Sequence, residues 1–170
     1  MNQQPALPRW ITWLITGGAS TFIFALVISA VFDPSIRVLH TLQAFLYLGV
    51  ILLTRRNSAW AFGAGAIMAA FWDYMNLFVT TFIANGVHQL ALLLQTGHVS
   101  RPDQLIGIIA GGGHAVLLVG CVAGFLRTKP TRKAWMEFVG GGAIAIGYFL
   151  LIIVTTGRQY LPLMHRVFHL

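Results

Sequence analysis

Charge is scarce in this chain of 170 residues: 9% are Asp, Glu, Lys or Arg, against 57% apolar. Water-facing domains carry roughly a quarter charged residues, so the composition excludes an ordinary soluble domain. Acid is scarcer still. The carboxylate side chains are Asp33, Asp73, Asp103 and Glu137 alone. The one cysteine, Cys121, lies inside an apolar run. A single cysteine cannot close an intramolecular disulfide, and no Cys-x-x-Cys metal motif occurs. No long polar stretch occurs either, which leaves room for one integral domain over residues 1–170 and no extramembrane module.

What fills the chain instead is a series of apolar runs, over 10–32, 36–54, 59–84, 105–126 and 134–156. Each matches the roughly 20 residues that cross a ~30 Å hydrocarbon layer. Lipid offers no water to bond backbone groups, so segments of this kind must be helices. The sequence therefore predicts an all-α fold: a polytopic transmembrane helix bundle of about five spanning helices. The first run is too long for a signal-peptide core and lacks a small-x-small cleavage site, so it is expected to remain as a helix. Asp33-Pro34-Ser35 ends it, because Pro34 cannot continue a helix and Asp33 or Ser35 can cap the next.

Two further stretches are amphipathic. Val87, Leu90, Ala91 and Leu94 recur at helical spacing opposite His88 and Gln95. Near the C-terminus Leu161, Met164, Val167 and Phe168 do the same beside His165, Arg166 and His169. Both fit helices lying in the membrane interface; an ordered loop or tail is the alternative.

The formal charge of +7 does not point to nucleic acid, because the basic residues sit in short loops between apolar runs. Loops of this kind meet anionic lipid and set orientation. Alternating spans put Arg9, Arg55, Arg56, Arg127, Lys129, Arg132 and Lys133 on one side, and Arg37, Arg101, Arg158 and Arg166 on the other. The excess makes the first side cytoplasmic, with the N-terminus inside and the C-terminus outside, a bacterial inner membrane being the expected location.

Glycines gather at Gly111, Gly112 and Gly113 in the fourth run and at Gly140, Gly141 and Gly142 in the fifth. Small residues let helix backbones approach where lipid supplies no hydrophobic drive. The third, fourth and fifth helices are thus expected to form a tight core, with the fourth and fifth meeting at Gly112 and Gly141. A phosphate-cradling loop would need a strand before the glycines and a lysine after them.

Asp73, in the sequence FWDYMNLF, is the residue that packing alone explains least. A carboxylate within a span costs several kcal/mol unless it faces protein or water. Asn76 and Thr80 share its helix face. His114 follows three glycines in the fourth run. With a rise of 1.5 Å per residue, Asp73 and His114 lie ~17 and ~14 Å from the outer ends of their runs, nearly the same depth. Tyr47 and Tyr148 fall at similar levels, and His40, Gln43, Tyr47 and Thr54 form a rough stripe on the second run. Asp73, Asn76, His114, Tyr47 and Tyr148 therefore make a polar layer, either a proton, ion or small-ligand site or a network that fixes helix register.

His40 and His114 raise a haem reading, since bis-histidine ligation across a bundle is reasonable, but their levels differ by about two helical turns. No His-x-x-x-His spacing supports zinc or copper within a span, and no cofactor is identified. Intramembrane proteolysis needs an activated nucleophile or paired aspartates, and Asp73 stands alone. Three function classes follow. The first is a non-catalytic integral membrane subunit, or partner-dependent component of a larger complex, held by lipid and by other membrane subunits or self-association. The second is a small transporter or ion- or proton-conducting protein using Asp73 and His114. The third is a haem carrier or membrane enzyme.

Overall fold

A computed structural model describes residues 7–162. Among them the chain is helical, with no strand: α1 is Arg9–Phe32, α2 Arg37–Thr54, α3 Ala59–Tyr74, α4 Phe82–Thr96, α5 Pro102–Arg127 and α6 Arg132–Thr156. A 3-10 turn, Pro34–Ile36, joins α1 to α2. There Asp33 accepts from the Ser35 amide at 2.9 Å and the Ser35 hydroxyl at 2.6 Å. These bonds hold the exposed Asp33 carboxyl below the usual carboxylate range. The stretches Arg9–Phe32, Pro34–Thr54, Ala59–Val79, Pro102–Arg127 and Arg132–Thr156 are long and apolar enough to cross a membrane.

The third apolar run does not stay helical to residue 84. After Tyr74 the backbone widens into a π-helical turn, Met75–Val79. The Thr80 amide donates to the carbonyl of Met75, five residues back, at 2.8 Å. Thr80 is then extended, with φ −108° and ψ 164°. Two β-branched residues, Thr80 and Thr81, fall at the break, and their hydroxyls bond locally: Thr80 accepts from the Phe82 amide and Thr81 from the Asn85 amide group. Such bonds compete with a continuous helix. Ile83 and Ala84 thus belong to α4.

The first amphipathic stretch forms α4, with Val87, Leu90 and Leu94 exposed and Gly86 and Gln89 buried on the other side. α4 runs antiparallel to the opening turns of α5. A Cβ on Gly86 would stand 2.7 Å from the Gln104 carbonyl oxygen, and one on Gly107 2.5 Å from the Phe82 ring. The Gln89 side-chain oxygen accepts from the amides of Ser100 and Arg101 and from the Ser100 hydroxyl, which fastens the connecting loop. Of the second amphipathic stretch only Leu161 is among the described residues.

α5 lies antiparallel along α1, Gly124 meeting Ile11, Gly120 meeting Ile15 and Gly113 meeting Gly18. α3 is central and touches α2, α5 and α6. It crosses α6 where Gly63 faces the Phe138 backbone and Gly141 faces the Trp60 backbone. The expected meeting of the fourth and fifth spans at Gly112 and Gly141 is therefore corrected. Gly112 has nothing within 4 Å of its Cβ direction, and Gly141 packs on α3. Gly111 faces Ile83 of α4, Gly140 faces the Trp60 ring and Gly142 faces Ile67. α5 and α6 touch through aromatic rings instead, Phe125 lying 4.7 Å from Trp135 and 4.4 Å from Phe138 between centroids. Large side chains hold those two backbones apart. The same contacts gather the start of α1, the α2–α3 loop and the α5–α6 loop, with their arginines and lysines, at one end of the bundle.

Gly141→Leu should lower thermal stability in detergent, by an overpacking cost of about 1–3 kcal/mol, whereas Gly112→Leu should leave it unchanged. Equal losses for the two variants would contradict this packing.

Candidate polar site

His114 is 0% exposed. It reaches the bundle centre because its neighbour Gly113 lets α5 close on α1. The His114 ring then rests on Phe22, with centroids 3.8 Å apart. Tyr47 from α2 and Trp72 from α3 complete the aromatic surround, at 5.6 and 6.4 Å. The two ring nitrogens have different partners. Nε2 is 2.8 Å from the Tyr47 hydroxyl. Nδ1 faces Oδ1 of Asp73 at 3.9 Å. That separation is beyond a direct hydrogen bond, yet both atoms are buried and neither has another partner among the described residues. Asp73 comes within reach because α3 presents it beside Gly111, whose missing side chain leaves room for the carboxylate, 3.9 Å from the Cβ position.

A neutral imidazole has one donor and one acceptor nitrogen. If Tyr47 donates to Nε2, then Nδ1–H points at the Asp73 carboxylate. If Tyr47 accepts, Nδ1 offers a lone pair to a protonated Asp73. Either way the Asp73–His114 gap accommodates a proton.

The pair is not fully enclosed by the bundle. The Asp73 side chain is 19% exposed, beside the π-helical turn and the start of α4. In the other direction the core is apolar: Val50, Met68, Leu117 and Cys121 are buried, and Val50 and Cys121 converge on Gly65. This layer is about 9 Å from the basic end of α3 and α5, and the Asp73–His114 pair about 20 Å.

The other expected members of the layer lie elsewhere. The Tyr148 hydroxyl donates to the Leu42 carbonyl at 2.8 Å, between α6 and α2, away from His114. Asn76 remains on its own helix, donating to the Trp72 carbonyl at 2.9 Å. The π-helical turn that begins at Met75 removes Asn76 and Thr80 from the regular spacing that put them on the Asp73 face. His40 bonds Ser29 and the Leu26 carbonyl of α1, at 2.9 and 3.1 Å. It lies two turns, about 10 Å, along α2 from the Tyr47 that His114 meets, so the two imidazoles do not face a common ligand. No group of three or more His, Cys, Asp or Glu side chains gathers among the described residues.

Two members of the surround, Phe22 and Trp72, and the buried Gln43 one turn from Tyr47 were not singled out from the sequence as site residues. Phe22 sits in an apolar run with nothing to distinguish it. Trp72 stacks nearly parallel to His114, and its indole nitrogen is buried without a hydrogen-bond partner. Gln43 is 2% exposed, one turn from Tyr47, with both amide atoms unpartnered. Its place in the His40–Tyr47 stripe was the available signal. No protein-family model, curated protein or solved structure matches this chain.

Tyr47→Phe strips the buried His114 Nε2 of its partner and should cost about 1–3 kcal/mol. Tyr148→Phe should cost less, because the Leu42 carbonyl keeps its place in the helix ladder. Chemical unfolding in detergent separates the two; a larger loss for Tyr148→Phe would contradict this ranking.

Proposed function

We propose that this chain is a non-catalytic integral membrane protein that works through the Asp73–His114–Tyr47 site, taking up and releasing a proton there. The observation that supports this reading is the 3.9 Å approach of His114 Nδ1 to Asp73 Oδ1, two buried atoms with no other partner among the described residues. Intramembrane carboxylates facing a bundle interior mark proton or ion sites by default. The π-helical turn beginning two residues after Asp73 adds support, since such bulges concentrate at functional sites. The exposed edge of Asp73 and the apolar layer beneath Tyr47 favour exchange with the side away from the basic loops. They disfavour a continuous conduction path through this conformation. On the positive-inside rule that side is the outside, the N-terminus being cytoplasmic and a bacterial inner membrane the location.

A second reading makes the chain a subunit of a larger membrane assembly. Its support is a set of glycines with nothing within 4 Å of their Cβ directions: Gly17, Gly49, Gly112 and Gly147. On lipid-facing surfaces such positions admit a close neighbouring helix. Co-purification of other chains under mild detergent tests it.

The proton site is tested by infrared difference spectroscopy on oriented proteoliposomes. Acidifying the side opposite the basic loops should produce a carboxyl C=O band that Asp73→Asn removes. A band that survives Asp73→Asn, or that answers only acidification of the basic side, overturns the reading. For orientation, a reporter fused after Leu170 should behave as external; cytoplasmic behaviour would mean that the topology is inverted.

A further inference from the structure

An apolar groove of about 530 Å³ opens on the outer surface between α2 and α6, with α3 as its floor. Leu46, Gly49 and Leu53 form one wall, Ala61 and Ala64 the floor, and Ile144 the other wall. Gly49 keeps the groove open, because nothing lies within 4 Å of its Cβ direction. The groove extends along α2 from Phe45 to Leu53, about 12 Å at 1.5 Å per residue. That is most of one ~15 Å hydrocarbon leaflet, on the side of the basic loops. At its mouth the chain turns through Arg55 and Arg56 before Trp60 re-enters the wall. Both arginines are exposed, and neither forms an ion pair among the described residues.

We propose that this groove binds an anionic phospholipid, one acyl chain lying along Gly49 and the phosphate group at Arg55 and Arg56. Charge complementarity and depth together select this occupant. The cavity is apolar and as deep as a leaflet, so it takes hydrocarbon. The free guanidinium groups stand where the headgroup of that same leaflet must lie, and arginine pairs with phosphate through two parallel hydrogen bonds. An anionic headgroup is attracted to unpaired arginines at a membrane surface. A zwitterionic headgroup, carrying its own cation, is attracted less. The proposal rests on the chain's lying in a bilayer, and it is independent of the proton site.

The test uses the full-length protein in detergent, with phosphatidylglycerol or phosphatidylcholine added, read by Tm and by native mass spectrometry of retained lipid. Phosphatidylglycerol should raise Tm and remain bound, and phosphatidylcholine should do neither. The double variant Arg55→Gln/Arg56→Gln should lose that discrimination. Gly49→Phe should lose the retained lipid several-fold while keeping its lipid-free Tm, since the ring enters open space. Asp73→Asn should bind lipid as the parent does, so loss of the proton site does not mimic loss of this one. Equal responses to the two lipids, or undiminished lipid on Gly49→Phe, overturn the proposal. A lipid-free dimer that Gly49→Phe dissociates would also overturn it, assigning the groove to a second copy. A chain that stays soluble without detergent would remove the bilayer premise itself.

Discussion

The backbone approach of α1 and α5 at Gly18 and Gly113 is the contact on which the polar site depends. A Cβ on Gly18 would stand 2.6 Å from the Gly113 carbonyl oxygen and the Leu117 amide nitrogen. Any side chain there would push the helices apart. With the helices together, the next residue, His114, enters the bundle centre, and Phe22, one turn beyond Gly18, receives its ring. Tyr47 and Asp73 can then bond or face its two nitrogens from α2 and α3. A polar site buried this deeply must supply its own partners, because an unpaired buried group costs about 1–3 kcal/mol. Close backbone packing is what brings partners from separate helices within reach.

The same logic explains why the glycines are spread over different helix pairs. Gly18, Gly113 and Gly120 serve the α1–α5 seam, Gly124 makes room for the Phe62 ring of α3 beside Ile11, and Gly63 and Gly141 serve the α3–α6 crossing. Each seam fixes α3 or α5 against a neighbour, and α3 and α5 carry Asp73 and His114. Aromatic packing at Phe125, Trp135 and Phe138 sets the basic end of α5 and α6 further apart.

Much of this was legible in the sequence. Apolar run lengths located the long helices to within a few residues, apart from the third run's outer end, because hydropathy is a property of composition. Asp73 and His114 do approach each other, but the depth match read from the rise per residue was counted from an outer end at residue 84 that the π-helical turn removes. What periodicity could not see was the π-helical turn, which cuts the third run at Val79 and turns Asn76 back onto its own helix. Nor could it say which glycines meet which helices, because each helix offers glycines on several faces and the neighbour decides which are used. Tyr148 was assigned by depth, yet depth carries no information about azimuth, and its hydroxyl faces Leu42. Gln43 stood in the polar stripe of the second run, but its burial, like the place of Phe22 under His114, became visible only once helix neighbours were known.

The central claim is that Asp73 and His114 meet inside the bundle when the protein is in lipid. Solid-state NMR of bilayer samples, with Asp73 carrying ¹³Cγ and His114 carrying ¹⁵Nδ1, measures that approach directly. The structure predicts a resolved dipolar coupling between the two nuclei, corresponding to side chains in contact across the 3.9 Å gap. A coupling too weak to detect, with both side chains otherwise ordered, would place them on separate faces and contradict the account.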